Sequence, residues 1–395
     1  MRDFTFLLFI TFIFTNKSIA QKQTLFVDKN YEDVIQLSKA QNKPIVIMFY
    51  ANWCVHCNKM KNEVFLDQNV INFYTDSFIC MAIDSESQEG ISLITKFKPK
   101  FKVKSFPTFA FIDSNENLLY CSSGEFKSDT FLTEGKNVLL PENQFLNVKN
   151  KFNADVSNAD NCLKFITILR KAGFDATLVT QKYLATKTEA ELFTELNWRI
   201  IANGINSIDA KEINLIQAKK EEFAKVASPT RVEKKLIFMA SDNLKPLADG
   251  LDTLNYYKKR PIAESFHIRK VDSLLFRFDL SITEKSKNWK KYKQTVQTNA
   301  EKFAWKDTTL LVDIATNYLN NYTDSKTIEE AIKYAIQALS LGESLDKYKL
   351  ISNLYIKNKD YKNALIYSEK AKSIALQSGW KTDEIEKLIS EIKKH

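Results

Sequence analysis

FYANWCVHCNKM, residues 49–60, sets Cys54 and Cys57 two residues apart where an apolar run gives way to helical spacing. Upstream, Pro44 opens the unbroken run Ile45-Val46-Ile47-Met48-Phe49-Tyr50, the pattern of a strand buried on both faces. A strand that passes through Trp53 into Cys-x-x-Cys and on into a helix puts Cys54 at the helix N-terminus. There, unpaired backbone N–H groups and the positive end of the helix dipole stabilise a thiolate. Cys54 is then the attacking sulfur, and Cys57, nearly one turn further in, is spaced to close a disulfide or to resolve a mixed one. His56 adds positive charge beside the thiolate, favouring the reduced form and making the disulfide more oxidising. The rival uses of such a pair are a zinc clamp and a structural staple. Structural zinc takes four ligands, usually from two such pairs, but only one pair is present and the other histidines are His267 and His395. No metal and no cofactor are expected.

Outward from the pair, helix and strand patterns alternate. Residues 31–40 have helical spacing, a helix follows the cysteines, and Phe78-Ile79-Cys80-Met81-Ala82-Ile83 reads as a second buried strand. A helical stretch over 91–97 precedes two short apolar runs, 108–113 and 118–121, joined by the polar turn Ser114-Asn115-Glu116-Asn117, the signature of a hairpin. Residues 128–139 close the unit as a helix. The order predicts a mixed sheet covered by helices on both faces.

At this point the chain resembles the thioredoxin-like family, over about residues 24–139. The carriers are PIVIMFY, ANWCVHCNKM and, fifty residues later, SFPTFAFID. The resemblance implies a thiol–disulfide oxidoreductase with a Cys54–Cys57 redox disulfide, a cis peptide bond before Pro107, and a substrate groove shaped by Trp53, Phe106 and Pro107. Two features depart from thioredoxin itself. Val55-His56 replaces the usual Gly-Pro between the cysteines: the histidine is shared with Dsb-type periplasmic oxidants, while Trp-Cys-Val-x-Cys is similar to the thioredoxin-like end of Dsb-type transmembrane reductases, so the direction of electron flow stays open. Met48 stands where thioredoxins carry a buried aspartate that helps deprotonate the second cysteine. Glu63, six residues past Cys57, is a candidate replacement, although its position suits a solvated helix face. Lys96, Lys98, Lys100, Lys102 and Lys104 alternate before Pro107 and read either as a solvated face or as a charged border to the groove.

The 395 residues exceed one ordinary domain. Residues 1–20, MRDFTFLLFITFIFTNKSIA, have the charged start, short apolar core and small-residue end of a cleaved secretory signal. The apolar core is too short to span a bilayer, so an exported chain without a transmembrane segment is expected, periplasmic if the source is Gram-negative. Five cysteines leave at least one thiol unpaired, and Cys80, Cys121 and Cys162 read as small buried hydrophobes.

Residues 21–140 hold 13 lysines against 14 acidic residues, net −1, whereas residues 141–395 hold 42 basic against 33 acidic, net +9. Beyond residue 140 no strand pattern is found; Pro229, Pro246 and Pro261 are the interruptions. The stretch therefore reads as helical, with residues 160–173 a clear unit stopped by Gly173. EEAIKYAIQALSL (329–341) and KNALIYSEKAKSI (362–374) superpose at an offset of 33, pairing Ala331 with Ala364, Tyr334 with Tyr367, Ala338 with Ala371 and Leu341 with Ile374. This resembles the tetratricopeptide repeat. The expected organisation is a signal over 1–20, a thioredoxin-like α/β domain over 21–140, an all-helical domain over 141–300 and tetratricopeptide-like repeats over 301–395. The helical repeats are expected to bind protein partners, with protein thiols and disulfides as substrates and a separate redox partner recharging the pair. The basic excess lacks an aromatic-interleaved stripe, so nucleic acid is not an expected ligand. The alternative is a non-catalytic adaptor or redox sensor whose function lies in the repeats.

Overall fold

The computed structural model describes residues 24–395, so the leader read from residues 1–20 lies outside the described residues. The chain divides into two compact units, the first ending at Asn206 and the second beginning at Ser207.

The first unit runs α1 (Tyr31–Gln41), β1 (Ile45–Tyr50), α2 (Val55–Asn62), α3 (Gln68–Ser77), β2 (Ile79–Asp84), α4 (Gln88–Phe97), β3 (Thr108–Ile112), β4 (Leu118–Ser123), α5 (Ser128–Leu139), α6 (Phe145–Ala154), α7 (Ala159–Lys171), α8 (Thr177–Leu184) and α9 (Glu195–Gly204). One element differs from expectation. The single helix predicted after the cysteines is two, because the chain passes through a 3₁₀ turn at Val64–Leu66 and restarts at Asp67, whose carboxylate accepts the Asn69 N–H at 2.9 Å.

The sheet order is β2-β1-β3-β4. β1 runs parallel to β2, with Met48 opposite Ala82, and antiparallel to β3, with Met48 opposite Phe109. β3 and β4 form the expected hairpin, with an irregularity at Phe111 and Ile112. Period-two alternation sends Val46, Met48, Phe109, Phe111 and Tyr120 into one core with Cys57, Met60, Tyr74 and Phe131. The opposite face sends Ile45, Ile47, Phe49, Met81, Ala110 and Ile112 into a second core with Val34, Leu93 and Phe97. Helices cover both faces, which is why β1 reads as a continuous apolar run.

The composition change at residue 140 falls inside this unit. Helices α6 and α7 pack on β4. Lys171 Nζ meets Glu134 Oε2 of α5 at 2.9 Å and also hydrogen-bonds the Tyr120 hydroxyl. The Lys102 N–H donates to Ala172 O at 2.9 Å. Gly173 makes that approach possible: its φ is +77°, and a Cβ there would stand 2.6 Å from Lys102 O.

The second unit holds eleven α-helices among the described residues, from Lys211–Ala218 to Asp383–Ile392, and no strand. Pro229 opens the helix Pro229–Asp249, while Pro246 and Pro261 lie in the final turns of Pro229–Asp249 and Thr253–Glu264 rather than between helices. Near the helix end a proline removes one backbone hydrogen bond without stopping the turn that follows. Helices Ser325–Ser340 and Tyr361–Gln377 carry the two superposable copies, and Ala331, Ala338, Ala364 and Ala371 are all fully buried. In Leu345–Lys357, Ser352 Oγ donates to Ala364 O at 3.1 Å and lies 2.6 Å from Ser368 Oγ, so small side chains let these helices approach closely.

Among the described residues no helix is long and apolar enough to cross a membrane.

Candidate active site

β1 ends at Tyr50 and the chain turns through Ala51 and Trp53 to deliver Cys54 as the N-cap of α2. The Cys54 sulfur accepts the Cys57 N–H at 3.2 Å, occupying one of the orphan donors of the helix start. It also lies 3.6 Å from the Phe106 carbonyl oxygen, to which the thiol donates. The Phe106–Pro107 peptide bond is cis, and Pro107, lacking an N–H, offers no competing donor on that side. Cys54 thus meets the carbonyl of the residue that precedes the cis proline.

Cys57 is wholly enclosed, in the core that also holds Met48 and Phe109. Burial pushes its thiol up to about 12, helped by its hydrogen bond to Cys54, while the Ala51 backbone and the Lys61 charge pull in the opposite direction. Both cysteines are free thiols. Met48 is fully buried and carries no proton-accepting group; Glu63 caps the C-terminal end of α2 on the exposed side. Neither supplies Cys57 with an internal base.

Trp53 and Val55 flank Cys54 and are 66% and 75% exposed. The Trp53 ring meets Phe106 edge to face at 5.9 Å and its Nε1 donates to Glu86 Oε1 at 2.8 Å. Asn52 Nδ2 donates to Asp84 Oδ2 at 2.5 Å. Exposed apolar side chains thus border the Cys54 sulfur.

His56 is exposed, and its ring is held by Glu125: Nδ1 lies 2.8 Å from Oε2, while Lys59 Nζ lies 2.5 Å from Oε1. The two contacts hold the Glu125 carboxyl below the usual carboxylate range. Glu125, Glu86 and Asp84 were not found from the sequence, because they lie 69, 33 and 32 residues from their partners. The only local signal for Glu125 is its place directly after Gly124 at the end of β4.

Of the lysine run, Lys96 pairs with Glu116 Oε1 at 2.5 Å and Lys100 donates to Glu116 O at 2.6 Å, in the hairpin turn at the end of the sheet opposite the cysteines. Lys102 lies over the Phe174 ring. These three side chains are engaged within the fold. Cys80, Cys121 and Cys162 are buried, as small hydrophobes should be. Among the described residues no group of three or more His, Cys, Asp or Glu is arranged to hold a metal ion.

Residues 31–139 match the Thioredoxin-like domain family. Thioredoxin-1 of Drosophila yakuba is 30% identical over 90 residues, 23% of this chain and 76% of that protein. The thiol:disulfide interchange protein DsbD of Pseudoalteromonas atlantica is 25% identical over 112 residues, 28% of this chain but only 18% of that protein, so the chain spans less than a fifth of it. Among solved structures, a thioredoxin from Thermus thermophilus superposes with a TM-score of 0.27 and 20% identity, covering 30% of this chain and 89% of that one.

Proposed function

The chain belongs to the thioredoxin-like family through residues 31–139, and from that premise we propose that it is an exported thiol–disulfide oxidoreductase acting on protein substrates through Cys54 and Cys57. The reading is carried by one observation: the Cys54 sulfur caps α2 and lies 3.6 Å from the carbonyl of the residue before a cis proline, between exposed apolar side chains.

In the reducing direction, the Cys54 thiolate attacks one sulfur of a substrate disulfide. That S–S bond breaks, the leaving sulfur departs as a thiolate and takes a proton, and Cys54 is joined to the substrate. Cys57 then gives up its proton and attacks Cys54; the second substrate sulfur leaves and is protonated. Two electrons pass to the substrate and the pair ends as a disulfide. Oxidation is the reverse. Trp53, Phe106 and Pro107 line the path of the substrate chain, and His56 bears on the potential. The leader over 1–20 supports export, to the periplasm in a Gram-negative source. The helical part, with its tetratricopeptide-like copies over 301–395, is read as the segment that selects partners, one of which recharges the pair.

Cys57→Ser removes the resolving sulfur and leaves the attacking one. It is expected to accumulate mixed disulfides through Cys54, seen as slower bands on non-reducing gels that vanish with reductant. Absence of any trapped species, together with a purified protein that neither reduces insulin nor oxidises a reduced peptide, would sink the reading.

A further inference from the structure

Three carboxylates surround the start of α2. Asp84 is engaged by Asn52 and Glu86 by the Trp53 indole, while Glu125 meets the His56 ring at 2.8 Å and the Lys59 ammonium at 2.5 Å, one on each oxygen. The backbone that carries Glu125 is anchored. The Gly124 N–H donates to Pro107 O at 2.8 Å, and Gly124, at φ +105°, turns the chain leaving β4 toward α2. Open space surrounds the Cβ position there, so backbone conformation is what calls for glycine. Glu125 is thus strung between the cis-proline segment and the helix that Cys54 caps and Cys57 belongs to.

Its reach to the sulfurs runs through its partners. His56 and Lys59 follow Cys54 by two and five residues on α2. Positive charge beside a thiolate favours the reduced state of the couple, and a carboxylate bonded to the side chains that can carry it offsets part of that field. Resting on the thiol–disulfide reading above, we propose that Glu125 is a positioning residue: it holds the His56 ring and the Lys59 ammonium on one carboxylate and so keeps the Cys54–Cys57 couple less oxidising than its Val-His dipeptide alone would make it. The couple is one disulfide plus two electrons and two protons giving two thiols; against glutathione, two glutathione thiols supply both and leave as one glutathione disulfide.

The test is the equilibrium constant of the full-length protein with a glutathione redox buffer, for wild type, Glu125→Gln and Glu125→Asp, at low salt and at about 1 M salt. Glu125→Gln keeps shape and removes charge. It is expected to shift the equilibrium toward the dithiol by about two- to fivefold at low salt, the scale of an exposed charge interaction, and the shift should shrink at high salt, where screening acts within about 3 Å. Glu125→Asp, which keeps the charge, should restore most of the wild-type value. Iodoacetamide should alkylate Cys54 faster in Glu125→Gln by a comparable factor. An equilibrium constant unchanged by Glu125→Gln at low salt, or a shift that survives high salt and is shared by Glu125→Asp, overturns the proposal and leaves the oxidoreductase reading standing. A wild-type protein that forms no Cys54–Cys57 disulfide in any buffer overturns both.

Discussion

Cys57 has no exposed surface, and Met48 of β1, in the same core, accepts no proton. Its thiol is pushed up to about 12, as are those of Cys121 and Cys162 by burial, and Cys80 is driven up as well. Ionised in the unfolded chain above about 8.5, these thiols stay protonated in the folded one, so between about pH 9 and 12 the unfolded state binds fewer protons and the free energy of unfolding falls as pH rises. The urea midpoint of the reduced protein should therefore be level from pH 7 to about 9 and decline above it. The decline should be shallower in Cys57→Ser, by at most one proton; an identical slope in the two proteins would contradict the enclosure of this thiol. At this scale Cys54, Cys57 and Pro107 were legible because their chemistry is written in adjacent residues. Glu125 was not: a glutamate on a loop suits any solvated position, and only the fold brings it 2.8 Å from a histidine 69 residues away.

Elements follow the sequence wherever their stop and start signals are local. Asn30, Ser87 and Asn158 cap α1, α4 and α7 through their side chains, and the breaker-bounded run 128–139 coincides with α5. The division between α2 and α3 escaped because Asp67 resembles any helix-surface acid until the chain is seen to turn at Val64–Leu66. Gly173 was legible as a helix stop, yet its closer duty, admitting the Lys102 carbonyl, depends on a segment 71 residues earlier in the chain. Gly173→Ala meets both an unfavourable φ and a 2.6 Å clash. It is expected to cost about 1–3 kcal/mol and to speed hydrogen exchange at the Lys102 amide, which donates to Ala172 O. A urea midpoint within error of wild type would show that the approach of α7 tolerates a methyl group.

As a whole, the chain divides into two compact units, the first ending at Asn206 and the second beginning at Ser207. A fragment of residues 24–206 should unfold cooperatively and retain any insulin-reducing activity. A fragment ending at residue 140 strands Glu134 without Lys171 and the Lys102 N–H without its acceptor, and it uncovers the face of β4 that α6 and α7 protect. It should be less stable by about 2 kcal/mol or more; equal urea midpoints for the two fragments would mean that the helices from 145 to 204 add nothing to the sheet. The sequence by itself determined the order of strands and helices, the placing of a cysteine at a helix start, the hairpin and the helical nature of the rest, because periodicity, capping and breaker residues act over a few positions. Only the tertiary structure decided where the first unit ends, which carboxylate answers His56 and Lys59, and that Cys57 is wholly enclosed. Those outcomes depend on side chains tens of residues apart meeting in space, and an apolar helix face or a lone charged residue is compatible with many partners until the fold selects one.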